Sequence, residues 1–400
     1  MIGRLPALLI SLWIPLVSPS NAWPQVPIGP VVMGETFQLP SKVLKESRTI
    51  FLFKPAAYER GTERYPVLYL LDGETHFRYT AAIADFLAVN DRIPAMLVVG
   101  IASGDTGQRV RDLTPPSTAE TDSRFSPGNG GAGAFLAFLS GELIPYVDRT
   151  YRTRPYRILA GHSFGGLFAI YSLVTRPALF NGYIVADPSL YWNNQAIVAQ
   201  AESFLSRTGP LQADLYLAAT DLSDKIPSEV ARLNAALTKS SPAGFRWKFD
   251  WMQEENHMSI PLPSIYRGLE AIFEEWRLAD PLEMFNRGGI EAIHKRYRDA
   301  GRRFGYPERT TPAFTVSLVV AALIGAGRLE EASAVLLHDP AAYPPPWNQL
   351  DALARAYEKR GDTGQAVRYY RLSLKQNPRN DFAIRKLADL GIPIPDRQQD

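Results

Sequence analysis

The stretch Gly161-His-Ser163-Phe-Gly165-Gly166 constrains this chain more than any other. It sits between an apolar run, Ile158-Leu159-Ala160, and a helical pattern from Leu167 to Val174. That is strand, sharp turn and helix, with a serine at the apex. A serine on so tight a turn sits in a strained backbone conformation, and side chains at Gly161 or Gly165 are expected to collide with the neighbouring strand or helix. The helix that follows aims its first N–H groups at the serine. The Phe164 N–H can therefore meet a negative charge developing on a bound oxygen.

A serine hydroxyl is a poor nucleophile unless a base takes its proton and an acid orients that base. The chain has no cysteine, which excludes disulfides, a thiol nucleophile and cysteine-ligated metal. It has five histidines and no H-E-x-x-H pattern, so no metal site and no cofactor is expected. Where strand, turn and helix carry the nucleophile, the chain order is serine, acid, histidine. Of the three histidines after Ser163, His294 and His338 fall in a helical tail. His257, in Glu254-Glu-Asn-His257-Met-Ser, follows the last expected strand and is the expected base. His76 and His162 fit lining or structural roles. The acid is expected at the end of the strand Asp214–Ala219: Asp221 is favoured, with Asp224 as the alternative, and either could instead cap the helix near Ser228. A second oxyanion donor is expected from the turn after Leu68-Tyr-Leu-Leu-Asp72, where the N–H of Gly73 or Glu74 could point at the carbonyl oxygen; a plain turn at Asp-Gly is the competing use.

From Phe37 to Met252 short apolar runs alternate with helical ones, the pattern of an α/β fold with a doubly wound, mostly parallel sheet. Expected strands are Thr49–Phe53, Pro66–Leu71, Met96–Ile101, Arg157–Ala160, Tyr183–Ala186, Asp214–Ala219 and Arg246–Trp251. Several lack two-residue alternation, as strands buried on both faces do. Expected helices are Ala81–Leu87, Ala132–Leu143, Phe164–Val174, Ser228–Thr238 and Ser264–Leu278. Ser103–Gly131 is rich in Gly, Pro, Ser and Asp and reads as a long functional loop. Arg109 and Arg111 lie in it, either near the pocket mouth to bind an acidic or catecholate substrate, or to hold Asp112 in an ion pair. Tyr191 and Trp192 either line an aromatic wall or pack in the core.

After about residue 280 only helical patterns remain, and a repeat appears. Gly361, Ala366, Tyr370 and Pro378 follow tetratricopeptide spacing; 34 residues earlier stand Gly327, Ala332, Leu336 and Pro344. The repeat covers about Phe314–Leu390, after a degenerate helical unit at Met284–Phe304. Two repeats bury too little surface to stand alone, so the tail is expected to dock on the rest of the chain, to bind a protein partner or to self-associate.

At the other end, Arg4 precedes an apolar run from Leu5 to Val17 and a small-residue pattern ending at Ala22. This reads as a signal peptide and a periplasmic or secreted chain. No second long apolar stretch follows, so no membrane span is expected in the mature chain. Hydrophobic residues at 46% and a net charge of +2 describe a globular chain without the basic bias of a nucleic-acid partner. The expected organisation is a signal peptide at 1–22, a hydrolase domain at 23–278, linker helices at 279–313, repeats at 314–392 and a flexible tail at 393–400.

Together Leu71-Asp-Gly73, Arg109-Val-Arg-Asp-Leu-Thr-Pro115, Glu142-Leu-Ile-Pro-Tyr, Gly161-His-Ser-Phe-Gly-Gly and Glu255-Asn-His257 resemble the esterase D/enterochelin-esterase-like branch of the α/β-hydrolases, over about residues 30–278. The resemblance implies Ser163 as nucleophile, His257 as base, a backbone oxyanion hole after Asp72-Gly73 and activity on carboxylic esters. It departs from the family at Asp187-Pro-Ser-Leu-Tyr-Trp192, where Asp187 and Tyr191 replace a serine and a tryptophan, and at Ala-Ala-Thr-Asp221, which lacks the usual glycine. The expected function is ester hydrolysis of a small-molecule substrate through an acyl-enzyme; the alternatives are an acyltransferase and an inert scaffold whose tail recruits a partner.

Overall fold

A computed structural model describes residues 31–125, 128–220, 226–338 and 344–393, the Phe125 side chain aside. The expected signal peptide and most of the C-terminal segment lie outside these residues, as do Asp221 and Asp224. Met33–Asp400 forms one unit that holds both the sheet and the helical tail.

Eight strands form one sheet: β1 (Glu35–Ser41), β2 (Glu46–Phe53), β3 (Tyr65–Leu70), β4 (Leu97–Ile101), β5 (Thr153–His162), β6 (Gly182–Ala186), β7 (Asp214–Ala219) and β8 (Arg246–Trp251). Their order is β1-β2-β4-β3-β5-β6-β7-β8. β1 and β2 pair antiparallel, β2 runs antiparallel to β4, and all later pairings are parallel. The sheet is thus mostly parallel, as expected. β1 is the strand that the sequence pattern did not reveal. It lies at the sheet edge and is largely exposed, and Pro40 within it removes a ladder donor, which an edge strand tolerates.

The central strands bury both faces. Tyr69, Val99, Leu159, Tyr183 and Leu217 enter one core, while Leu68, Val98, Ile158, Ile184 and Tyr216 enter a second on the opposite face. Two separate cores explain why these strands show no polar alternation. Helices α1 (Gly73–Val89), α2 (Thr106–Leu113), α3 (Glu120–Phe125), α4 (Ala132–Phe138), α5 (Ile144–Thr150), α6 (Phe164–Thr175), α7 (Trp192–Arg207) and α8 (Ser228–Ser240) connect the strands, and α9 (Pro261–Ile272) follows β8. The segment expected as one long loop contains α2 and α3. A capping box starts α2: Gln108 N–H donates to Asp105 Oδ1 at 2.8 Å, and the Asp105 N–H donates to Gln108 Oε1 at 3.1 Å.

Helices α10 (Pro281–Arg303), α11 (Ala313–Gly325), α12 (Leu329–Leu336), α13 (Trp347–Arg360), α14 (Thr363–Gln376) and α15 (Asp381–Asp389) form the tail. The two repeat registers fold alike. Gly327 and Gly361 both take positive φ, at 73° and 87°. In each turn the next N–H reaches back to a carbonyl five residues earlier, Arg328 to Leu323 and Asp362 to Tyr357, both at 2.9 Å. Ala332 and Ala366 are fully buried where the paired helices meet. α10 joins tail to sheet: Phe285, Ile293 and Tyr297 belong to the tail core, whereas Ala300 and Phe304 belong to a sheet core. Phe304 packs at a tilt against Phe273 (4.9 Å), and the Arg309 guanidinium lies 3.3 Å over the Trp276 ring and 4.8 Å over Tyr297. The first part of α10 is thus buried in the tail core and its end in a core of the sheet.

Candidate active site

Ser163 links β5 to α6 with φ 60° and ψ −116°, a conformation that costs on the order of 1–3 kcal/mol and persists only where its surroundings enforce it. Here they do. The Ser163 N–H donates to Ala186 O at 3.1 Å, and its carbonyl accepts from Leu167 (3.0 Å) and Ser189 (3.1 Å). A Cβ on Gly161 would fall into the backbone of Gly165, and one on Gly166 would stand 2.9 Å from the Pro188 ring. Gly165 itself is not sterically required, contrary to expectation. A Cβ there would meet Leu71 and Asp72 at 3.5 Å, which is ordinary contact.

Asp72 takes φ 52° and ψ 47°, and α1 begins at Gly73, so the Asp72-Gly73-Glu74 turn presents the first N–H groups of a helix beside the serine turn. A Cβ on Gly73 would stand 2.8 Å from the Gly100 and Ile101 backbone, which is why a glycine occupies the position. Arg109 laces the two turns together. Its Nε and Nη2 donate to the two Asp72 carboxylate oxygens at 2.7 and 2.9 Å, and Nη2 also reaches the His162 carbonyl at 3.4 Å. Burial pushes the Asp72 carboxyl up, but the Arg109 pair and the Ser103 hydroxyl outweigh it and hold it below its ordinary value.

His257 is reached from the other side. Its Nδ1 lies 2.6 Å from Asp187 Oδ2, and its ring packs at a tilt against that of His162, the residue before the serine, with centroids 4.5 Å apart. The carboxylate that engages it is Asp187; Asp221, the favoured acid, and Asp224 lie outside the described residues. Asp187 ends β6, one strand earlier than expected, in a left-handed turn (φ 42°). The end of β7, where the acid was sought, serves instead as its support: Thr220 donates its N–H to Asp187 Oδ1 (3.1 Å) and its hydroxyl to Oδ2 (2.9 Å). Burial raises the Asp187 carboxyl, yet the His257 and Thr220 hydrogen bonds leave it depressed and therefore charged. The signal was present in the sequence as a carboxylate standing where the resembled family has a serine, directly after the strand beside the nucleophile.

His162 is held neutral, its pKa pushed down to about 4 by burial first and then by His257 and His76. Burial likewise lowers His76, whose Nδ1 is 2.6 Å from the Tyr79 hydroxyl. The remaining sequence candidates are used structurally, with one exception. Arg111 pairs with Asp112 (2.8 Å) and Glu46 (2.6 Å), both of which also hold Arg48. Trp192 is buried, donates to Pro115 O at 2.8 Å and packs edge-on against Phe164. Tyr191 alone is open, 55% exposed. Among the described residues no group of acidic or histidine side chains could hold a metal ion, and no helix is long and apolar enough to cross a membrane.

A family described as "Putative esterase" matches residues 41–230, and a tetratricopeptide-repeat family matches 347–390. The chain is 30% identical over 239 residues to ferri-bacillibactin esterase BesA of Bacillus subtilis, covering 54% of this chain and 81% of that protein. It is 27% identical over 253 residues to the siderophore triacetylfusarinine C esterase of Aspergillus fumigatus, covering 54% and 85%. Among solved structures, an IroE-like serine hydrolase from Shewanella oneidensis aligns with a TM-score of 0.59 at 26% identity, over 86% of this chain and 99% of that one. With the fold, the serine turn and these relatives in agreement, the chain belongs to this esterase family of α/β-hydrolases and is a carboxylic ester hydrolase with a tetratricopeptide-like helical tail.

Proposed function

We propose that the protein is an exported serine esterase that opens siderophore-type esters through an acyl-enzyme on Ser163. The observation that carries the reading is the convergence of three elements on one turn: the strained serine, the His257–Asp187 pair packed against its neighbour, and the Asp72–Gly73 helix start laced to it by Arg109. In the first step Ser163 Oγ attacks the ester carbonyl and gives its proton to His257 Nε2, the ring nitrogen that Asp187 does not engage. The carbonyl oxygen, now negative, takes hydrogen bonds from the Phe164 N–H and from Gly73 or Glu74. His257 then protonates the departing alkoxide. Water repeats the sequence in reverse and frees the acid.

The substrate class is supported by the relatives, which are siderophore esterases by name. Export, to the periplasm or the medium, is supported by Arg4 and the apolar run Leu5–Val17. The test is a hydrolysis screen over catecholate trilactones, feruloyl esters and short p-nitrophenyl esters, run with wild type and Ser163→Ala. The expected result is preference for the trilactone and a loss of at least about a thousandfold in the variant with its circular dichroism unchanged. Residual activity above that level would remove Ser163 from the mechanism, and preference for the aryl esters would remove the siderophore assignment.

A further inference from the structure

Ser189 belongs to none of the roles above, yet its side chain faces the reacting oxygen. It is 5% exposed, and its hydroxyl has one partner among the described residues, Ser163 Oγ at 3.2 Å. Its N–H also donates to the Ser163 carbonyl at 3.1 Å, so the two serines are joined through both backbone and side chain. The segment that carries it is held by contacts on both sides. Asp187 is fixed in a left-handed conformation by Thr220 and His257, and Pro188 fills the space left by Gly166. One tripeptide, Asp187-Pro188-Ser189, thus supplies the carboxylate for the base and a hydroxyl for the nucleophile.

We propose that Ser189 is a catalytic residue for deacylation, its hydroxyl donating a hydrogen bond to Ser163 Oγ as that oxygen leaves the acyl group. This rests on the reading of Ser163 as nucleophile. The two half-reactions use Ser163 Oγ oppositely. In acylation it is the attacking atom: the Oγ–C bond forms, the Oγ proton passes to His257, and a donor on the Oγ lone pair draws away electron density without helping. In deacylation water attacks the acyl carbon and gives a proton to His257. The C–Oγ bond then breaks, Oγ takes the electron pair, and His257 returns the proton to it. A hydroxyl already within hydrogen-bond reach of Oγ stabilises the charge that gathers there during the break.

The two steps separate in stopped-flow measurements with p-nitrophenyl acetate, where release of nitrophenol reports acylation and the later steady rate reports deacylation. In Ser189→Ala, deacylation is expected to slow about ten- to a hundredfold, the range for a lost hydrogen bond to a charged group, with acylation nearly unchanged. Acetylated enzyme should accumulate in intact mass spectra at steady state. Ser189→Thr, which keeps the hydroxyl, should restore much of the deacylation rate. Equal slowing of both steps, or no change in either, would overturn the proposal. A fluorophosphonate label on wild type keeps the two readings apart. Labelled Ser163 with unaltered partitioning in Ser189→Ala removes only the role of Ser189, whereas unlabelled Ser163 in folded wild type removes the nucleophile itself.

Discussion

Gly161 and Gly361 are the same residue used for different physical reasons in the two parts of the molecule. At Gly161, in the sheet domain, the backbone dihedrals are not in the glycine-favoring region, but a side chain has nowhere to go: its Cβ would overlap the Gly165 backbone. At Gly361, in the tail, nothing lies within 4 Å of a Cβ, and only the φ of 87° calls for glycine. The first is a constraint between elements, set by a strand and a helix held against each other to aim one hydroxyl. The second is local, set by how a helix ends. The hydrolase site is accordingly a product of tertiary closeness, whereas the tail is a product of repeated local rules.

The largest effect expected from this contrast lies in the site. Asp187→Asn keeps the shape but loses the charge that orients and stabilises the His257 imidazolium. A fall in kcat of about ten-thousandfold is expected, the size seen where a triad carboxylate becomes an amide. Asp221→Asn should leave kcat near wild type. The reverse outcome in steady-state kinetics would return the acid to β7. Next comes Gly161→Ala. Backbone must move to admit the methyl, so a loss of stability of about 3 kcal/mol is expected, at the upper end for overpacking, together with most of the activity. A denaturation curve and an esterase assay on the same sample decide it. An active, stable variant would show that the turn has slack.

How far the site could be read from sequence follows from the same distinction. Ser163, the strands β2 to β8 and the repeat glycines rest on spacing within a few tens of residues, so pattern alone places them. His257 was legible by elimination, because so few histidines follow the serine. Asp187 was not, because which strand end supplies the acid depends on which carboxylate the folded sheet brings to the ring. The turns after β6 and β7 lie side by side: Asp187 N–H donates to Ala218 O at 2.8 Å, and Thr220 sends two hydrogen bonds back. The ends of the two strands therefore meet at the carboxylate that His257 engages. β1 and α2 escaped for a different reason, since an exposed edge strand and a short polar helix carry almost no apolar periodicity.

The histidine cluster sharpens the contrast by pH. His162 binds a proton near its ordinary value of 6.5 when unfolded and only near 4 when folded. Between those values the unfolded chain holds more protons, so stability is full above about 6.5 and falls as pH drops toward 4. The shift corresponds to about 3 kcal/mol at the acid end. His162→Asn should flatten the denaturation midpoint against pH across this window, with little change at pH 8. An unaltered acid slope would mean that burial of this ring is not what limits acid stability.

The smallest expected effect falls on Gly361→Ala. A left-handed φ costs a residue with a Cβ about 1–2 kcal/mol, and the open surroundings add no collision to it. The methyl also narrows the unfolded ensemble, which offsets part of that cost. The outcome should be a tail that loosens at slightly lower temperature, seen by hydrogen exchange in α13 and α14, with kcat unchanged because no catalytic group rests on that turn. Gly327→Ala should behave the same way, its turn having the same hydrogen bonds and equally open space. If either substitution cost as much as Gly161→Ala, the tail turns would have to be sterically closed by something beyond the helix end itself, and the division between a site built by contact and a tail built by local geometry would fail.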